Sequence, residues 1–143
     1  MKALIHTVLI LVGLTALTTT NALAVGENIS DEASEEVRLV AAKEKLNAET
    51  DTVVVYAQGL CCPSCAIGVR KMVSRLDFVD KKRFNKGVEL DTKMQLITVA
   101  IDEAKNADLN SLTEAILDAG YDPVRSYSLQ NGDLLTKALA ADS

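Results

Sequence analysis

Gly59-Leu60-Cys61-Cys62-Pro63-Ser64-Cys65 contains all three cysteines of the chain, and the residues on either side of it decide the fold. A β-branched run, Thr52-Val53-Val54-Val55, comes just before. After it, Cys65, Ala66, Val69, Met72, Val73 and Leu76 recur at helical spacing. The stretch therefore reads as a strand, a glycine-containing loop, and a helix that opens on Cys62-x-x-Cys65. Pro63 suits a first helical position, where a missing N–H costs nothing, which makes Cys62 the expected N-cap. Thiolates at a helix N-terminus are stabilised by the macrodipole and by unpaired N–H groups. Two of them three positions apart can converge on a soft metal ion or close on each other as a disulfide. The stretch thus points to a metal carrier or a redox protein.

The 143 residues allow one domain and little more. Residues 1–24 read as a secretory signal peptide: Lys2, an apolar run from Leu4 to Leu17, then Ala22-Leu23-Ala24 with cleavage expected after Ala24. The apolar run is short for a membrane span. The expected compartment is the periplasm. Removing the leader removes Lys2, so the 15 basic residues become 14 against 20 acidic ones, a net charge of −6. It also removes His6, the one histidine. Histidine zinc sites and histidine-assisted nucleophiles are thereby excluded. An acidic chain without tryptophan is a poor nucleic-acid binder. Three clustered cysteines do not make a disulfide framework.

Along the chain, residues 25–49 form a helical N-terminal extension, charged and capped by Ser30 or Asp31. Its thin apolar stripe is Ala33, Val37, Val40 and Ala41, and it is expected to be solvated. Residues 50–129 hold the domain. A strand over 50–58 puts Val53, Val55 and Ala57 on one face and Val54 and Tyr56 on the other. The cysteine helix reaches about Leu76, and a basic stretch follows from Lys81 to Gly87. Two strands, 88–91 and 95–101, come next, the second alternating Ile97, Val99, Ile101 against Leu96, Thr98, Ala100. Asp108 caps a second helix with a stripe of Leu109, Leu112, Ile116 and Ala119, ended by Gly120. A last strand covers 124–129, and in the tail, residues 130–143, an Asn131-Gly132 turn precedes a weak helix from Leu134 to Ala141.

The order β-α-β-β-α-β predicts an α+β, ferredoxin-like βαββαβ sandwich, with two helices on one face of a four-stranded antiparallel sheet and an extra N-terminal helix. The Cys-x-x-Cys lies at one end, and the loop carrying Tyr121 should lie beside it.

The cysteine loop, with Ala119-Gly120-Tyr121 about 55 residues further on, resembles the heavy-metal-associated domains. Among these it is similar to periplasmic mercury-binding proteins and bacterial copper chaperones. The resemblance covers about Thr52 to Ser128. The family motif usually reads Gly-Met-Thr-Cys-x-x-Cys, and Gly59, Cys62 and Cys65 match it, which implies metal ligation by Cys62 and Cys65. It also implies that Tyr121 packs against the metal loop. Leu60 stands where the family has Met, a volume-conserving change that keeps a buried anchor. Cys61 stands where the family has Thr, either as a small hydrophobe or as a third ligand. The basic 81–87 stretch reads as an insertion.

Two thiolates without histidine favour Cu(I) or Hg(II), and a third thiol shifts preference toward Cd(II) or Pb(II). Zn(II) would want more ligands than the thiols supply. The expected protein is an exported carrier, not an enzyme, and a monomer in the absence of metal. It would pass its ion to a membrane metal transporter or another metal-binding domain by thiolate exchange. The alternatives are a periplasmic thiol-disulfide protein using the same cysteines, and an adaptor whose N-terminal helix docks a partner.

Overall fold

The computed structural model describes residues 32–139. The expected signal peptide, the linker after it and the Ser30 or Asp31 cap lie outside them. Eight elements follow in order: α1 (Glu35–Ala48), β1 (Thr52–Gln58), α2 (Cys65–Val73), β2 (Val88–Asp91), β3 (Leu96–Ala100), α3 (Leu109–Asp118), β4 (Asp122–Gln130) and β5 (Asp133–Ala138). The sheet is antiparallel throughout, in the order β2-β3-β1-β4-β5. Its first four positions are the ferredoxin-like arrangement. β1 sits at the centre, with Val55 opposite Ile97 on one side and Ser126 on the other.

Strand alternation divides the core as the sequence predicts. Val53, Val55 and Ala57 of β1, with Ile97 and Val99 of β3, meet Val69 and Val73 of α2 and Leu112, Ala115 and Ile116 of α3. Asp108 caps α3 by accepting from the Asn110 N–H, and the Ser111 hydroxyl donates to its other oxygen. Both bonds favour the ionised carboxylate, and the Ser111 bond contributes most to holding Asp108 below the usual carboxylate range.

The opposite face departs from expectation. α1 is not a solvated extension: it docks on the back of the sheet, where Ala42 and Leu46 join Val54, Leu96 and Tyr127 in a second core. Its buried stripe is Arg38, Ala42 and Leu46, while Val37 and Val40 are 49% and 60% exposed. The reason is Arg38. Its guanidinium stacks 3.7 Å from the centroid of the Tyr56 ring, Nε donates to the Met94 carbonyl at 3.1 Å, and Nη2 donates to the Ala33 carbonyl at 2.8 Å. An arginine with its stem on apolar surface and its head on carbonyls can occupy a buried helical position. α1 also starts later than expected: Ser34 caps it, accepting from the Val37 N–H. With helices on both faces, all five residues of β3 are buried.

The tail is the second correction. Residues 133–138 form a strand, not a weak helix. Asn131 and Gly132, both at positive φ, make a two-residue turn that pairs Gln130 with Asp133 and adds β5 to the edge of β4. Most of β5 is exposed, so it carries little of the hydrophobic alternation by which a strand is recognised.

The 74–87 connection is anchored rather than free. Phe78 and Val79 are buried, and Arg83 pairs with Glu49 at 2.9 Å just past the end of α1. Gly87 is required here: at φ +83° a Cβ would lie 2.8 Å from the Asp80 carbonyl oxygen.

Candidate metal site

The cysteine loop leaves the centre of the sheet at the end of β1 and returns as α2. Gly59 makes the exit at φ +87°, a conformation that L side chains rarely adopt. Leu60 then turns inward and is fully buried in the helical-face core, which pins the loop. Cys61 is exposed and its thiol is free. Cys62 is half-buried and disulfide-bonded. The Ser64 hydroxyl lies 3.1 Å from Cys62 Sγ. A disulfide sulfur has no proton to give, so the hydroxyl is the donor.

The helix opens on Cys65, not on Cys62. Pro63 and Ser64 form a tight turn ahead of it, in which the Ala66 and Ile67 N–H groups donate to the Pro63 and Ser64 carbonyls at 3.2 Å. Cys62 is thus one turn outside the regular helix, and the residue at the N-cap position is Ser64, which makes no side-chain cap. The physical cause is the tight i+3 bonding of the first turn.

Tyr121 follows Gly120 after α3. It is half-buried, packed against the same core, and its Cδ1 lies 3.8 Å from where a Gly59 Cβ would be. The end of β1 pairs there with the start of β4, Gln58 opposite Asp122. The structure therefore brings Gly59 and Tyr121 together at one end of the sheet. Met72 and Met94 are half-buried against the two cores.

Two features escaped the sequence reading. One is the Ser64 hydroxyl on Cys62 Sγ, signalled only by its place inside the Cys-x-x-Cys. The other is the surroundings of Arg70, whose Nε donates to the Val88 carbonyl of β2 at 3.4 Å, so that this residue serves the flank of α2. Among the described residues, no group of three or more histidine, cysteine or acidic side chains is placed to hold an ion, and no helix is long and apolar enough to cross a membrane.

No family model matches the chain. Curated relatives do. It is 35% identical over 74 residues to a mercuric transport protein periplasmic component of Pseudomonas fluorescens, covering 52% of this chain and 74% of the relative. A protein of the same description from Shigella flexneri is 34% identical over 83 residues, covering 58% and 84%. Among solved structures, a CopZ metallochaperone is 23% identical with a TM-score of 0.43, covering 51% of this chain and 98% of that one. Oxidised MerP from Ralstonia metallidurans CH34 is 32% identical with a TM-score of 0.40, covering 50% and 89%.

Proposed function

The chain belongs to the family of periplasmic mercuric transport components, and we propose that it is an exported carrier of one soft metal ion, Hg(II) before Cu(I), held by Cys62 and Cys65. The observation that carries this reading is the 35% identity to relatives named for mercuric transport. Cys62 stands on the loop between the central strand and α2, and Cys65 is the first residue of that helix. The soft thiolate pair suits these ions, and the mature chain brings no imidazole to the site.

The chemistry asks little of the protein beyond position. The disulfide at Cys62 must first be reduced, two electrons and two protons coming from an external thiol or dithiol, because only thiolates ligate. The two thiols then lose their protons as they take the ion as thiolates. Hand-over proceeds as a partner thiolate bonds to the ion while one cysteine sulfur leaves, with no change of oxidation state. An exposed, under-coordinated ion permits that attack. Leu60, buried beneath the loop, would hold the backbone still while the ligands exchange, with Tyr121 packed alongside. The receiving partner would be a membrane metal transporter or another metal-binding domain. Residues 50–129 would constitute the carrier domain and residues 1–24 a leader cleaved after Ala24. Cys61, exposed and adjacent in sequence, would act as a third ligand for ions that favour three sulfurs.

The disulfide also favours a second reading, a thiol-disulfide protein. One experiment separates them. The reduced chain is loaded anaerobically with Hg(II), Cu(I), Cd(II) or Zn(II) against a competing chelator and weighed by native mass spectrometry. Retention of one Hg(II) per chain, abolished in Cys62→Ser, is the expected result. A loss in Cys61→Ser for Cd(II) alone would make the third thiol a ligand. No retained ion, together with rapid disulfide exchange with dithiothreitol, would sink the carrier reading in favour of the redox one.

A further inference from the structure

Ile67, Lys71 and Arg75 recur every fourth residue from α2 into the turn after it, and so share one face of that segment. The face is turned to solvent: Ile67 is 68% exposed, and Lys71 and Arg75 are exposed as well. Across from them stand Asn85 and Lys86 of the basic connection, and together with Arg70 these residues line a groove of about 520 Å³. No carboxylate lines it.

The charges here are gathered in one place and are all of one sign. Among the described residues, Arg38, Lys45, Arg83, Lys105 and Arg125 all have carboxylate partners within 4 Å. The four cations of the groove have none, and neither have Lys43, Lys81, Lys82, Lys93 and Lys137 elsewhere. What distinguishes the four is that they share one groove, in a chain with five more acidic than basic side chains. Like charges gathered in one concavity repel one another and focus a positive field, which an incoming carboxylate would relieve. The exposed Ile67 adds an apolar contact at the end nearest the cysteine loop. It lies two positions after Cys65, about 3 Å along the helix axis.

We propose that the groove between α2 and the 81–87 connection is a docking surface for a carboxylate-rich segment of a partner protein, with an apolar side chain set on Ile67. The concave shape suits inserted side chains, whereas a membrane surface would call for a flat or convex basic face. The identity of the partner as the ion's recipient rests on the carrier reading; the groove's preference for acidic peptide does not.

The test uses the full exported chain and, as probe, a dye-labelled peptide of alternating glutamate and leucine, with a lysine-leucine peptide as control. Amide chemical shifts should move at residues 67–75 and 85–86 on addition of the acidic peptide alone. Affinity should fall roughly tenfold in Lys71→Glu/Arg75→Glu and stay unchanged in Lys81→Glu/Lys82→Glu, which alters net charge equally outside the groove. If the reversal impairs folding, the neutral pair Lys71→Gln/Arg75→Gln should still weaken binding, by roughly threefold. Equal losses in both reversed pairs would overturn the proposal by reducing it to net charge. So would failure of the acidic peptide to bind, or stronger binding to vesicles of equal phosphatidylglycerol and phosphatidylcholine. Hg(II) retention is weighed separately in the same variants. Its absence from the native chain would end the carrier reading while leaving the groove to be judged by the peptide.

Discussion

The two faces of the sheet make different use of the same strands. The α2/α3 face is built from apolar side chains, nearly all aliphatic with Phe78 among them, and it ends at the cysteine loop through Leu60. The α1 face has a smaller apolar cluster edged by a polar network. In that network Arg38 lies on Tyr56, the Tyr56 hydroxyl donates to Glu32 at 2.6 Å, and Glu35 pairs with Arg125 of β4. One face is fastened by area removed from water, the other partly by directional contacts at its rim. The first should respond to lost volume and the second also to pH and salt.

The most direct way to break this contrast is to truncate one side chain on each face. Ile116→Ala should destabilise the chain by about 4 kcal/mol and Leu46→Ala by about 2 kcal/mol, because the Ile116 site is enclosed on all sides and α1 can settle toward the sheet. Urea unfolding measures both. Equal costs, or a larger one for Leu46→Ala, would mean that α1 is as integral to the core as α3.

A smaller effect should appear in alkali. Burial, with the Glu32 hydrogen bond second, pushes the Tyr56 phenol up to about 12. The folded chain therefore holds this proton more tightly than the unfolded chain, whose phenol titrates near pH 10. The resulting stabilisation is complete below about pH 10 and is lost as pH rises through about 12. Tyr56→Phe should show a shallower decline in urea stability between pH 9 and pH 11.5. An unchanged slope would place the alkaline sensitivity elsewhere, with Tyr127, raised by burial on the same face, the next to substitute.

The smallest change is expected where the sequence pattern pointed most directly. Val37→Ser/Val40→Ser should move the thermal midpoint by no more than about 0.5 kcal/mol equivalent, since both side chains face solvent. A substantial loss of stability would restore the apolar stripe first read from the sequence and displace Arg38 from the buried face.

These cases show where legibility ended. The strands around Val53–Ala57 and Leu96–Ala100 were readable because period-2 alternation and β-branched residues agree with burial on two faces. α3 was readable because Asp108, Leu112, Ile116 and Gly120 supply cap, stripe and stop. α1 was legible as a helix but not as a docked one: its buried positions include an arginine, and no periodicity marks a charged residue as interior. β5 was hidden for the opposite reason, its residues being mostly exposed. At the site, the cysteine positions and the glycine turn were plain. The boundary of α2 was not, because a tight turn and a regular helix differ by one hydrogen-bond partner.

By itself the sequence determined the order of elements from β1 to β4, the inward anchor at Leu60, and a loop that gathers all three cysteines of the chain. The first two follow from local chemistry, namely the spacing of apolar residues and the allowed φ of glycine. Only the tertiary structure decided that α1 closes the back of the sheet, that β5 extends its edge, and that Lys86 comes to face Lys71 and Arg75. Each of these depends on surfaces distant in sequence meeting in space, where the burial of Leu46 against Leu96 outweighs the preference of a charged helix for water.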